Sequence, residues 1–463
     1  MVRNSVEATT GQELGSPGLA RRLGPFDATM IVMGGIIGSG IFMNPYVVAK
    51  QVHTPLLILS AWSLGGLVAL AGAVIYAELA ARKPESGGQY AYIREAYHPV
   101  VAFLYGWGLL LVTQTGGMAA VAVTFARYFL ELTRAPMPDW LVASTALAIL
   151  TIVNCLGVRA GSSLQNVLMT LKILAIALLV GFGFASSDTS RITLVPAFDQ
   201  PLALPLATAF GAAMVPVLFA YGGWQTSSFV AGEMRNPQKH LPRGLLLGVL
   251  GVILLYLSVN IACLGTLGAS GLAGTVAPAT EVMRQTLGEK GVVLIAIGIT
   301  LSTLGFLSQG MLTAPRVYYA MAEDGLFFKS VAWVHPRTRV PVVAIVIQGA
   351  LAVIIALSGK YEQILNYVVS TDFIFFGLTA FCLFVFRRRA KARHQTSQAF
   401  RTPGHPWSTL FFIAVSWFVV VNTIVAYPAN SLIGIAIMLS GIPVYFLWRP
   451  KPATPTPVPG IGK

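Results

Sequence analysis

The sequence predicts an all-α membrane protein, and three observations carry that prediction. Hydrophobic residues make up 55% of the 463 and charged residues only 10%, whereas soluble domains carry about 25% charged residues. Mean hydropathy is +0.72. The apolar residues gather into twelve stretches, at roughly 28–51, 55–81, 99–130, 140–158, 163–185, 205–232, 244–267, 290–321, 341–358, 362–386, 407–427 and 429–448. About 20 apolar residues cross a bilayer as a helix. The short loops between these stretches favour twelve transmembrane helices over a barrel, whose strands would alternate with period two.

Charge placement orients the spans. The net charge of +14 could point to nucleic acid, but the basic residues are not spread like a nucleic-acid surface. With the N-terminus inside, 23 of the 31 Lys and Arg fall in the tails and in the loops after spans 2, 4, 6, 8 and 10. Seven fall on the other side (Lys50, Arg127, Arg134, Arg191, Arg284, Lys290 and Lys360), and Lys172 lies within a span. This is the positive-inside bias, and it places both termini in the cytoplasm. The basic run Arg387-Arg388-Arg389-Ala390-Lys391 reads as a cytoplasmic stop, with lipid-headgroup binding as an alternative.

The expected organisation is a polar N-terminal tail over 1–26, a membrane domain over 27–448 and a Pro-rich tail over 449–463. The first tail has no signal-peptide apolar core. The last reads as extended or disordered. All three cysteines, Cys155, Cys263 and Cys382, fall in spans, where Cys behaves as a small apolar residue, so no disulfide framework is implied. The six histidines lie in loops or at span ends. No metal site, cofactor site or catalytic constellation is expected.

Two spans are interrupted. Gly34-Gly35-Ile36-Ile37-Gly38-Ser39-Gly40-Ile41-Phe42 sits inside span 1, and Phe219-Ala220-Tyr221-Gly222-Gly223-Trp224 inside span 6. A helix in lipid must satisfy its own backbone polar groups, so an unwound stretch has to face protein, water or a ligand. At the first break a new helix would start near Ile41, and its free amides and positive dipole end attract a carboxylate. The preceding half ends in unpaired carbonyls, which attract an ammonium group or a small cation. One break thus presents both signs of charge, as an α-amino acid zwitterion does. The second break repeats the arrangement. Glycines at a close helix crossing are the competing reading. Two breaks at matching places in the two halves favour a transporter site. Spans 1–5 (27–185) and 6–10 (205–386) would form an inverted pair, with 407–448 as two added helices. Ser39 and Gly223, 184 residues apart, fit such a repeat.

These two signature segments resemble those of the amino acid–polyamine–organocation superfamily. Within it the chain is most similar to the L-type amino acid transporters and their bacterial alanine–serine–cysteine exchange relatives. Glu233-Met234-Arg235-Asn236-Pro237-Gln238-Lys239-His240-Leu241-Pro242-Arg243 is similar to that family's segment after span 6. The resemblance covers about residues 20–448. It implies the LeuT-type fold, a five-plus-five inverted repeat with discontinuous helices 1 and 6. It further implies that Gly38, Ser39 and Gly40 bind the substrate carboxylate, and that Ile36, Ile37, Phe219, Ala220 and Gly222 present carbonyls to the amine. Phe219 would also be an aromatic lid. Animal relatives carry a cysteine between spans 3 and 4 for a partner glycoprotein. Leu132-Thr133-Arg134-Ala135-Pro136-Met137-Pro138-Asp139 has none, so no disulfide-linked heavy chain is expected.

Lys172 stands about nine residues from the inner end of its span as bounded above, or about 13 Å deep. That is further than a lysine stem snorkels, so it is a functional candidate. Its position matches the lysine that, by the resemblance, replaces a sodium ion and holds the unwound part of span 1 through carbonyls near Gly34 and Ile37. This argues against sodium coupling. Two mechanisms stay open: a lysine that keeps its charge, giving exchange, or one that loses its proton in the cycle, giving proton symport.

Other polar positions are weaker signals. Glu78 and Arg82 read as an i,i+4 surface pair. Asp27 reads as a helix cap or an inner-gate ion pair. Glu233 reads as part of a salt-bridge network with Arg235 and Lys239. Asp372 either lines the pathway or is satisfied by Ser370 and Thr371. Gln114, Thr115, Ser308 and Gln309 read as interhelical hydrogen-bonding groups. Gln225, Thr226 and Ser227 follow the second break and would shape the side-chain pocket. No acid is seen beside them, so small or medium neutral amino acids are the expected substrates. The reading is a sodium-independent, non-enzymatic secondary transporter, an exchanger working by alternating access in a prokaryotic plasma membrane. A proton symporter of broader specificity and an amino acid sensor remain as alternatives.

Overall fold

The computed structural model describes residues 19–188, 192, 195–198, 204–358, 361–393, 400–426 and 428–448, the side chains of 361–370 and 426 excepted. Residues 1–18 of the first expected tail and all of 449–463 lie outside these. The described residues are helical, with no strand beyond one isolated bridge, Leu23 to Met234.

The first span is two helices, α1 (Pro25–Ile36) and α2 (Gly40–Gln51), bent by 43° at the break. Then come α3 (Pro55–Arg82), α4 (Gln89–Ala96) and α5 (Pro99–Gly108). A π-helical turn, Leu109–Thr113, joins α5 to α6 (Gln114–Thr133). Next are α7 (Asp139–Cys155), α8 (Val158–Ala185) and α9 (Leu204–Ala220). The second break leads into a 3-10 helix, Trp224–Glu233, where an α-helix was expected. The chain continues through α10 (Pro237–Ala273), α11 (Pro278–Leu287), α12 (Glu289–Thr313) and α13 (Pro315–Glu323). It ends with α14 (Val342–Leu357), α15 (Tyr361–Ala392), α16 (Trp407–Ala426), α17 (Pro428–Leu439) and α18 (Gly441–Trp448).

Among the described residues, eight helical stretches are long and apolar enough to cross a membrane, and the bent α1–α2 pair makes a ninth. Helices α7 and α14 are apolar but only 17 and 16 residues long. The short amphipathic α4 and α11 were not foreseen. Both sit in connections, where turn-rich sequence hides about two to three turns of helix.

Small residues bring the helices together, as lipid-buried packing requires. Gly244 and Gly248 on α10 lie four residues apart and face α1. A Cβ at Gly244 would meet the Ala28 Cβ at 2.6 Å, and one at Gly248 would meet Val32 at 2.5 Å. Gly298 of α12 approaches Ala175 of α8 in the same way, at 2.8 Å. This close approach places α1, α8, α10 and α12 around the first break.

The Lys- and Arg-rich end of the bundle is tied shut. The amides of Arg22 and Leu23 donate to the Glu233 carbonyl at 2.8 and 3.0 Å, and the Arg235 amide donates to the Leu23 carbonyl at 2.9 Å. The Gly87 amide donates to the Phe229 carbonyl at 3.0 Å. Tyr90 donates to Asp324 at 2.7 Å, and Arg94 pairs with the same carboxylate.

Two sequence expectations are corrected at this end, and of the two readings of Asp27 the helix cap stands. Glu78 is fully buried rather than part of a surface pair. It accepts from Arg82 at 2.9 Å, from Arg387 at 3.0 and 2.7 Å, and from the Thr402 amide at 2.7 Å. A buried carboxylate needs this many donors, and most of them come from α15 and the segment before α16. Glu233 pairs with Arg316 of α13, at 2.5 and 3.2 Å, and not with Arg235 or Lys239. Asp27 accepts from the Gly24 amide at 2.8 Å as a cap; its other oxygen takes Asn166 of α8 at 2.6 Å, not a basic partner.

Candidate functional site

The two breaks cross. A Cβ on Gly35 would lie 2.6 Å from the Gly223 carbonyl oxygen, and a Cβ on Gly223 would lie 2.0 Å from that of Gly35. Gly223 also has φ of 101°, a left-handed conformation that glycine adopts at no steric cost. Backbone therefore meets backbone at mid-bundle, and any side chain at either position would force the breaks apart.

A cavity of about 140 Å³ opens beside the crossing, room for on the order of ten waters. Gly38, Ser39, Gly40, Ile36, Phe219, Ala220, Gly222, Gln225 and Thr226 line it, as the sequence grouped them. Ile37 is the exception. Its side chain is fully buried, and its carbonyl turns to α8. Phe219 stands at the edge with 43% of its surface exposed, so it does not close over the cavity in this structure.

The local backbone gives the cavity its polarity. Helix α2 starts at Gly40, and its N-cap residue Ser39 makes no side-chain capping bond. Of its first-turn amides, that of Phe42 donates to the Ser39 carbonyl at 3.1 Å, and those of Gly40 and Ile41 are left for water or an anion. The carbonyls at the two breaks are engaged from behind. Tyr256 places its hydroxyl 3.1 Å from both the Ile36 and the Ala220 oxygens. Ser302 donates to the Gly38 carbonyl at 3.1 Å, and the Gly222 amide donates to that of Phe219 at 3.1 Å. A carbonyl has two lone pairs, so each keeps acceptor capacity. Gln309 donates to Thr226 at 2.6 Å, which donates to the Gly223 carbonyl at 2.6 Å. The side chain of Gln225 folds back onto the Gly223 amide at 3.0 Å. Gln225 and Thr226 thus hold the second break in shape as well as line the pocket.

Lys172 is fully buried on α8 and donates to the Ile37 carbonyl. Its stem lies against Gly305 of α12, where a Cβ would sit 3.3 Å from Cε and 3.4 Å from Nζ. Helix α8 begins at Val158, five residues earlier than the sequence placed it. The ammonium therefore stands about 21 Å along the helix from its start, beyond any snorkelling reach.

Sequence reasoning missed the π turn and left Asp372 between two readings, of which pathway lining stands. The π turn at Leu109–Thr113 carries Leu109 and Thr113 to the cavity wall; such turns recur at functional sites. Asp372 also lines the cavity, with Gln225 and Thr226. This corrects the expectation that no acid lies beside them.

Comparison with known proteins now decides the family. The family model described as amino acid permease matches residues 23–448. The chain belongs to the amino acid permease family. It is 32% identical over 446 residues to the serine/threonine exchanger SteT of Bacillus subtilis, covering 94% of this chain and 99% of that one. It is 30% identical over 468 residues to the human large neutral amino acids transporter small subunit 2, covering 96% of this chain and 85% of the relative. Mouse Asc-type amino acid transporter 1 is 30% identical over 451 residues, covering 94% and 83%. The permease is thus a multi-pass integral membrane transporter and not an enzyme.

Gly40 offers a graded test of the cavity. A Cβ there would lie 3.3 Å from the Asn44 amide nitrogen and 3.5 Å from the Ala220 Cβ, close to ordinary contact. Gly40→Ala is expected to keep substrate binding within about threefold, whereas the branched Gly40→Val reaches α9 and should lower affinity by about tenfold or more. Ligand-induced thermal stabilisation of the two purified variants measures this. Equal binding by both would remove the first break from the site.

Proposed function

We propose that the permease is a sodium-independent exchanger of small or medium neutral L-amino acids working by alternating access. The carrying observation is the crossing of two helix breaks beside one cavity, with the uncapped start of α2 on its wall. In this reading the substrate carboxylate sits on the amides at Gly38, Ser39 and Gly40. The amine takes the remaining acceptor capacity of Ile36, Phe219, Ala220 and Gly222. Phe219 swings from its exposed position to cover the occupied cavity. Gln225 and Thr226 shape the side-chain pocket.

Lys172 takes the place of a coupling cation, bracing the end of α1 through Ile37. The chain would follow the LeuT-type plan of twelve spans, with 27–185 and 205–386 as inverted repeats and 407–448 added. Both termini would be cytoplasmic, in a prokaryotic plasma membrane, with no disulfide-linked heavy chain. The names of the relatives, exchangers and amino acid transporters, support this reading. The basic end that is tied shut would then be the cytoplasmic gate.

The test is counterflow in proteoliposomes loaded with a panel of amino acids, with and without sodium and a pH gradient. Uptake that needs internal amino acid and ignores both gradients is expected. Uptake driven by sodium would overturn the reading. Uptake driven by a pH gradient into empty vesicles would favour proton symport, which the buried Lys172 would then serve. Binding without flux would mark a sensor.

A further inference from the structure

Among the described residues lining the cavity, Asp372 is the one carboxylate, and no Lys, Arg or His lines it. Among the described residues no salt bridge or hydrogen bond of normal geometry reaches its oxygens. The Thr113 hydroxyl sits beside it without closing such a bond. The Tyr105 hydroxyl, in the same neighbourhood, is buried on the cavity wall and equally unpartnered. A carboxylate in a membrane interior is costly and marks function. Buried polar groups without partners demand an explanation, and here two, the hydroxyls of Thr113 and Tyr105, meet beside Asp372 at one wall of the cavity that holds the helix breaks.

We propose that Asp372 reads the substrate's side chain, accepting a hydrogen bond from a short hydroxylated side chain and so selecting hydroxy amino acids over apolar isosteres. The proposal rests on the transport reading above and names its substrate class. The Thr113 and Tyr105 hydroxyls lie near the carboxyl without closing a bond to it, so its oxygens keep acceptor capacity that a substrate hydroxyl can use without supplying a full counter-charge. A carboxyl group accepts through an oxygen lone pair in either protonation state. The isostere lacking the hydroxyl leaves the carboxylate bare, and sites built to bond a substrate hydroxyl reject such analogues strongly. Size alone could not separate threonine from valine.

The test compares threonine with valine, and serine with alanine. The unaltered protein is measured with Asp372→Leu, which removes the acceptor at similar size, and Asp372→Asn, which keeps the shape. Competition in counterflow is read together with ligand-induced thermal stabilisation in detergent. The unaltered protein is expected to favour threonine over valine by about tenfold or more. Asp372→Leu should bring the ratio to about one while valine still binds, with Asp372→Asn between. If Asp372→Leu does not fold, the fall in ratio in Asp372→Asn carries the result. A threonine-to-valine ratio near one in the unaltered protein, or one unmoved by both variants, would overturn the proposal. So would a diamino acid such as 2,4-diaminobutyrate outcompeting threonine, which would make Asp372 a counter-charge. Stabilisation by threonine with no counterflow of any amino acid would sink the transport reading and leave the role of Asp372 standing.

Discussion

Lys172→Ala is expected to cut the initial rate of amino acid exchange by at least tenfold at matched expression. The ammonium is the donor that holds the Ile37 carbonyl at the end of α1, and hydrogen bonds to charged groups contribute about 1.5–3 kcal/mol. Its loss leaves a buried oxygen unpaired and an apolar hole against Gly305, so the break can relax away from the geometry that grips substrate. Lys172→Met restores the stem without the charge and separates the two contributions. It should recover thermal stability more than it recovers flux. Lys172→Arg should also fail, because the longer, planar guanidinium cannot place a single donor at the Ile37 carbonyl from the same stem position beside Gly305. An unchanged initial rate for Lys172→Ala in proteoliposomes of equal protein content would show that the break stands without it.

Arg316→Ala should be the most destabilising single change in the molecule. Arg316 and Glu233 are both buried, with 1% and 0% of their side chains exposed. Removing one partner of such a pair strands the other charge, at about 3–5 kcal/mol. The pair joins the 3-10 helix after the second break to α13, at the end of the bundle that is closed. Loss of the pair should therefore lower Tm by several degrees. In whatever protein folds, it should also bias the basic end toward opening. Replacing both, Glu233→Gln with Arg316→Met, removes the stranded charge and should regain most of the lost Tm, since apolar or neutral substitutes of buried pairs are often tolerated. The double variant should still exchange slowly, because its closed state has lost the charged tie. Thermal unfolding of the three purified proteins checks the order. A Tm for Arg316→Ala within about 1 °C of the unaltered protein would show the pair to be incidental.

The helix breaks were legible because glycine advertises them. Gly-Ser-Gly inside an apolar stretch has few other readings, and the structure starts α2 at Gly40. Apolar length likewise located the long spans. What failed to show was long-range. Arg387 meets Glu78 across 309 residues, and Arg316 meets Glu233 across 83, so Arg82 gave only part of the Glu78 partnership and Arg235 and Lys239 were wrongly taken as the partners of Glu233. The start of α8 was missed because Arg159 and the small residues up to Ser162 lie between two apolar stretches, while the chain turns at Gly157, with φ of 133°, and is helical from the next residue. The place of Asp372 on the cavity wall depends on how α15 packs against the π turn, and a linear pattern of hydropathy holds no such information. The 3-10 form of Trp224–Glu233 was hidden for the same reason.

Helix α8 grips α1 at two points, Asn166 to Asp27 near its start and Lys172 to Ile37 at its end. The grips lie ten residues apart on α1, about 15 Å, which suppresses both rolling and sliding. They differ in strength under thermal agitation, because Asp27 is partly open to water while Lys172 is sealed from it. The wet clasp is expected to yield first, since exposed hydrogen bonds open at lower free energy than sealed ones. The start of α1 can then sweep outward like a door while its far edge stays pinned at the lysine, and the axis of that swing passes beside the place where a cargo molecule would lie.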